Sequence, residues 1–220
     1  MEQKQKIINH ARVEFVQKGF KNLSMDDIST ALGISKKTLY KHFPSKEGLF
    51  EECVMSFFKQ FGESLKGIIL SDQPVIAKFL SFFVKASELS STFNAGFWDD
   101  MRTNQPKIWT KVDEFRVDLI QKNFKFIVIQ GQEEGVFRKY DAGIIVTTFL
   151  AIVREFINPH FLLQYNLTMK QAIVLCYSLL INATFTEKGK KEILKLRTEL
   201  SNEILKDSLI SAICDNIDEL

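Results

Sequence analysis

The sequence predicts an all-α chain in two parts: a three-helix domain over residues 1–48 and a larger helical domain over 49–220. Three observations predict it. Apolar residues recur every three or four positions through most of the chain, and no stretch alternates as a strand would. Helix starts and stops stand where that periodicity needs them, with Ser24, Ser35, Ser45, Asp141 and Thr168 before runs and Gly19, Gly33 and Pro44 after them. Charge is also divided, with nine Lys and Arg against five Asp and Glu in residues 1–50, and 20 against 22 in the rest. A basic end on a near-neutral body calls for an anionic partner at that end only.

Residues 2–18 place Ile7, Ile8, Ala11 and Phe15 on one helical face, and Gly19 stops the helix. Phe20 and Leu23 close a small core, while Lys4 and Lys6 either reach a phosphate or, as terminal residues more often do, stay solvated. Ser24 is an N-cap, with Asp27 three residues on to complete a capping-box-like start. Met25, Ile28 and Leu32 line that short helix, and Gly33 supplies a left-handed C-cap. Ser35 caps the next helix, which buries Ile34, Leu39 and Phe43 before Pro44 ends it. Two short helices about a glycine turn describe a helix-turn-helix. Ser35, Lys36, Lys37, Thr38, Tyr40 and Lys41 point outward from the second, offering charge, hydroxyls and an aromatic tip to phosphates and base edges.

This run resembles the DNA-binding motif of the tetracycline-repressor (TetR) family of bacterial transcription regulators. The resemblance rests on Met25-Asp26-Asp27-Ile28, Leu32-Gly33-Ile34-Ser35, Thr38-Leu39-Tyr40, His42-Phe43 and Ser45-Lys46-Glu47 with Leu49. Upstream, Ile7-Ile8, Ala11, Phe15 and Gly19-Phe20 look like that family's first helix, so the similarity covers about residues 5–55. Lys37 departs from it, because the family often has a small residue there, and so does Gly48, a weak helix former. The resemblance implies a sequence-specific regulator, a repressor, in which Lys36, Lys37, Thr38 and Tyr40 enter the major groove. Ser24, His42 and Lys46 are expected to hold phosphates.

The helix capped by Ser45 carries Leu49, Phe50, Cys53, Val54, Phe57, Phe58, Phe61, Leu65 and Ile68 to about Leu70, a wider apolar face than one small core requires. It reads as the connector between the two parts. After Asp72-Gln73-Pro74 a helix restarts with Val75, Ile76, Phe79, Leu80, Phe83 and Ala86 inside, and Ser90-Ser91-Thr92 breaks it. Residues 93–104 are expected to be irregular, rich in Phe93, Phe97, Trp98 and Met101 around Gly96. A long helix follows over about 106–130, bracketed by Gly131 and Gly135, with the phrase GQEEGVFR similar to the turn seen there in many TetR-like regulators. Asp141 and Thr168 start two further helices, interrupted by Asn158-Pro159; residues 187–206 are either an extra helix or a frayed segment.

The resemblance further implies a homodimer on a near-palindromic operator and a small-molecule effector. The apolar surplus of helices 141–157 and 168–185 supports the dimer. Phe61, Trp98, Met101, Trp109, Phe124 and Tyr177 are the expected walls of an effector site, for an apolar or amphipathic compound. The same residues serve equally as core filling, which leaves open a regulator controlled by a protein partner instead.

An all-α enzyme with a basic hairpin is the rival from another class. His10, His42 and His160 stand in no metal spacing, and no phosphate-cradling glycine loop or nucleophile elbow occurs. Asp99-Asp100 and Glu133-Glu134 are adjacent acids that diverge around a helix rather than oppose each other. No metal or other cofactor is expected. Cys53, Cys176 and Cys214 are odd in number and far apart, which fits a reducing cytoplasm rather than a disulfide framework. The N-terminus has no apolar signal core, and the most apolar windows are too short and interrupted to span a membrane.

Overall fold

The computed structural model describes residues 2–93, 95–156, 159–200, 212–213 and 215–217. Among them the regular structure is helical, in the order α1 (Glu2–Asn22), α2 (Met25–Ala31), α3 (Lys36–His42), α4 (Lys46–Ile69), α5 (Val75–Thr92) and α6 (Ala95–Asn104). There follow α7 (Pro106–Glu133), α8 (Ala142–Phe156), α9 (Pro159–Gln164), α10 (Met169–Thr184) and α11 (Glu187–Leu200). The chain forms two compact units, residues 1–63 with 90–116 and residues 64–89 with 117–220. No described helix is long and apolar enough to cross a membrane.

In the first unit Ile7, Ile8, Ala11 and Phe15 are buried on α1, as their spacing predicts. The helix does not stop at residue 18. It breaks at Gly19 (φ 78°, ψ 167°) and resumes for one more turn to Asn22. Only glycine takes that left-handed backbone at little cost. The break sets Phe20 against Phe15 and Phe50, with centroids 6.2 and 5.1 Å away. Leu23, Met25, Ile28, Leu39 and Phe43 complete a small core. Phe50 continues it to Phe97 of α6, at 5.9 Å.

Residues 93–104 are not irregular. From Ala95 they form α6, with Phe97 and Met101 buried four residues apart. Gly96 lies in the first turn, where the helix has no ladder bond to lose, and Pro106 opens α7, where its missing N–H costs nothing. Nor do Ser90-Ser91-Thr92 break the preceding helix, since α5 runs to Thr92. The side chains of Phe83 and Ala86 lie outside the described residues.

In the second unit α7 continues through Gly131 to Glu133, and Gly135 turns the chain with φ 73°. A Cβ on Gly131 would lie 2.3 Å from the Phe137 ring, so this glycine makes room for a core aromatic. Phe137 pairs with Phe185 in an isolated antiparallel bridge, with their rings 4.2 Å apart. Arg138 N–H donates to the Thr184 carbonyl (2.7 Å) and Thr186 N–H to that of Val136 (2.9 Å), clipping the α7–α8 loop to the start of α11. Asp141 caps α8 through the Ile144 N–H (3.0 Å), and Thr168 with Gln171 forms a full capping box on α10. Residues 187–200 form α11 with Ile193 fully buried, so this part of the tail is an ordered extra helix; residues 201–211 and Cys214 lie outside the described residues.

Candidate nucleic-acid interface

The helix-turn-helix is built by its caps. Ser24 Oγ accepts from the Asp27 N–H at 3.1 Å, and the Asp27 carboxylate accepts from the Ser24 N–H at 2.9 Å. The Ser24 hydroxyl donates to the same carboxylate at 2.6 Å. That bond, then the backbone one, holds the Asp27 carboxyl below its ordinary pKa. Gly33, at φ 63°, reverses the chain, and the Ile34 N–H returns to the Ser29 carbonyl at 3.0 Å. Ser35 then caps α3 through the Thr38 N–H at 3.1 Å, and Leu39, with no exposure, anchors the helix on its inner side.

The turn leaves Ser35, Lys36, Lys37, Tyr40 and Lys41 exposed on one surface, with Thr38 half-buried among them. Tyr40 lines an open concavity with Ser24, Met25, Asp26, Ser45, Lys46 and Glu47, where the first turns of α2 and α4 meet α3. Each expected DNA-contacting residue thus lies on or beside this surface, but they are not equivalent. Lys37 and Lys41 make no ion pair among the described residues, whereas the Lys36 ammonium stands 2.6 Å from Asp26 Oδ2. His42 Nε2 lies 3.3 Å from Gln3 Oε1 of α1. Lys46 is half-buried, its ammonium 4.4 Å from the centre of the Phe20 ring. Ser24 and Ser35 both spend their hydroxyls on caps. The acid beside Lys36 was not singled out from sequence. Its signal is the ten-residue step from α2 to α3, which the glycine turn converts into proximity.

The residues expected at an effector site fall in both units. In the first, Trp98 lies 6.3 Å from Phe58 and 6.2 Å from Trp109, Met101 is fully buried, and Phe61 stacks 6.5 Å from Phe57. In the second, Phe124 and Tyr177 flank Phe149 at 4.8 and 6.0 Å, and burial raises the Tyr177 phenol above its ordinary pKa. Burial likewise pushes the Cys53 and Cys176 thiols up to about 12. Both are small hydrophobes, not nucleophiles. No group of three or more potential metal ligands occurs among the described residues.

Comparison with known proteins agrees with this geometry. Residues 7–53, which span α1 to the first turns of α4, match the family described as bacterial regulatory proteins, tetR family. The HTH-type transcriptional regulator YvaF of Bacillus subtilis is 21% identical over 76% of this chain and 87% of its own length. The negative transcriptional regulator IcaR of the biofilm operon in Staphylococcus aureus is 22% identical over 57% of this chain and 78% of its own. A transcriptional regulator of Saccharomonospora viridis, solved in complex with choline, superposes with a TM-score of 0.65 over 84% of this chain and 99% of its own, at 19% identity. Each of these relatives is a transcriptional regulator by name. Motif, capped helix-turn-helix and helical architecture agree: residues 7–53 match the tetR family of bacterial regulatory proteins, and the chain shares its helical fold with a solved transcriptional regulator.

Proposed function

We infer that this regulator is a cytoplasmic repressor that binds a near-palindromic operator as a homodimer and is released by a small apolar or amphipathic effector. Residues 1–48 are the DNA-binding domain and 49–220 the effector-binding and dimerisation domain. The observation that carries the reading is the α3 surface, where Lys37 and Lys41 stand free and exposed beside Tyr40 while Leu39 locks the helix from beneath. Lys36, Lys37, Thr38 and Tyr40 reach base edges, and Lys46 and His42 hold the backbone. Repression agrees with the negative regulator among the relatives.

The dimer is supported by two strips. Gln171, Leu175, Leu179 and Ala183 are exposed at four-residue intervals along α10, and Ile144, Thr147, Thr148 and Ala151 are exposed on α8, which packs beside it. Leu179 is 45% and Ile144 65% exposed. Two copies of this pair make a four-helix interface, and a two-fold axis implies a two-fold operator. The effector is supported by the choline complex of the structural neighbour and by the ring-rich surroundings of Trp98, Trp109 and Met101. A ligand entering there displaces ring contacts worth about 0.5–1.5 kcal/mol each, so it must supply comparable apolar contact. Selecting bound duplexes from a random pool tests the reading. A two-fold symmetric consensus, lost in Lys37→Ala/Tyr40→Ala, is the expected result; no enrichment overturns it.

A further inference from the structure

We propose that Asp100 of α6 is a positioning residue for DNA binding, acting through Phe20 to set the posture of Lys46. The inference rests on the DNA-binding reading above and adds a residue far from the helix-turn-helix in sequence. It starts from Gly19. The left-handed break there turns the Phe20 N–H away from the helical ladder and leaves it needing an acceptor. Asp100 Oδ2 accepts it in a short contact, and the Asn104 side-chain amide holds Oδ1 at 2.6 Å. Both carboxylate oxygens are therefore engaged, and the group is aimed.

The fit is close. The backbone at Gly19 favours glycine, and a Cβ there would fall 3.0 Å from Asp100 Oδ2, close enough to displace the carboxylate. A charged acceptor on a backbone N–H is among the stronger hydrogen bonds, and it fixes the main chain from which the Phe20 ring projects. That ring is wedged edge-on against Phe50 and stacked beside Phe15, and the Lys46 ammonium lies over it at 4.4 Å. Lys46 lines a concavity with Ser24, Asp26, Tyr40, Ser45 and Glu47, the surface that the DNA-binding reading turns towards the duplex backbone. A lysine side chain is rotamer-rich, and ordering it on binding costs affinity. A ring that already holds the ammonium over that concavity lowers this cost. The linkage runs from the α6 carboxylate, through the main chain of the α1 break, to a phosphate-facing cation.

The test is a double-mutant cycle read by anisotropy of a labelled random-sequence duplex at several salt concentrations, with thermal melting of every variant. Lys46→Ala lowers the salt slope by about one unit. Asp100→Ala is expected to weaken binding about two- to fivefold. Asp100→Asn, which keeps an acceptor for the Phe20 N–H, recovers most of that loss. In the Lys46→Ala background Asp100→Ala has no further effect on DNA. If Asp100→Ala does not fold, Phe20→Leu carries the same cycle, because it keeps the apolar bulk and removes the face that holds the cation. Unchanged affinity in a folded single variant, or losses that multiply with Lys46→Ala, overturn the linkage. Failure of the wild-type protein to bind any duplex overturns the DNA-binding reading itself, a distinct result.

Discussion

Replacing Asp26 by Asn should strengthen binding to DNA, although Asp26 lies inside the motif that binds it. The carboxylate is 57% exposed on the first turn of α2 and holds the Lys36 ammonium at 2.6 Å. As a surface pair this contact stabilises the free protein by about 0.2–1 kcal/mol. On DNA the account changes sign. The carboxylate faces a polyanion, and a like charge about 7 Å away in water costs roughly 0.6 kcal/mol. With two phosphates within a Debye length of about 8–10 Å the total would be about 1 kcal/mol, or fivefold in affinity. Asparagine removes the repulsion and frees Lys36 for the duplex. The capping box survives because it uses Asp27, and the lost acid near the helix start costs about 0.3–1 kcal/mol of stability. The assay is duplex titration by anisotropy from about 50 to 200 mM salt, where charge contacts weaken most steeply. The Asp26→Asn gain should shrink as salt rises, Lys36→Ala alone should lose affinity, and the double variant should return close to wild type. An Asp26→Asn protein that binds random-sequence DNA no better than wild type at low salt refutes the argument. Such a result would mean that the carboxylate faces away from the duplex.

Other outcomes follow from the second unit and the buried groups. Ile144→Glu with Leu179→Glu should give a folded monomer by light scattering at micromolar concentration, and an intact dimer would remove α8 and α10 from the interface. Gly131→Ala drives a Cβ into the Phe137 ring and should lower stability by about 1–3 kcal/mol in urea unfolding, with little effect on the first unit. Alkaline stability should fall as pH rises from 9 towards about 12, because the unfolded thiols ionise there while the buried Cys53 and Cys176 stay protonated. Each such thiol adds about 1.4 kcal/mol per pH unit to the loss, and Cys53→Ala/Cys176→Ala should flatten the profile. A ligand that quenches Trp98 or Trp109 should weaken operator binding by about 1–3 kcal/mol and be weakened by operator in return; one that quenches and leaves the affinity unchanged would not be the effector.

The helix-turn-helix was legible because its instructions are local. Ser24 with Asp27, Gly33 and Ser35 act within three or four residues, and the caps they predict are the caps observed. Residues 93–104 misled for the opposite reason. Gly96 and Pro106 look like breakers, but their effect depends on where in a helix they fall, and here both sit at starts. Gly131 was noticed as punctuation, yet its reason is a ring six residues further along the chain. The aromatic residues were the least legible. Periodicity places Phe124 on a buried face but not beside what, and Tyr177 lies off the stripe read along its helix; their shared neighbour is Phe149.

The same division between local and distant instructions bears on how binding at α3 is controlled. The α3 side chains proposed to face the bases are placed by caps and by Leu39, all within residues 24–43, so their geometry is carried by the motif itself. Lys46 is different. Its posture depends on a ring at residue 20, and that ring depends on a carboxylate at residue 100. On the proposed linkage base reading is set locally, while the phosphate contact proposed for Lys46 is set by a helix that carries Trp98 and Met101 among its own residues. Loss of that contact weakens all sequences together and leaves the preference among them intact. A signal arriving at α6 should therefore change how tightly the protein binds DNA, not which sequence it chooses. Selections run with Asp100→Ala and with wild type should return the same consensus at different affinities; a shifted consensus would show that α6 also controls the recognition helix.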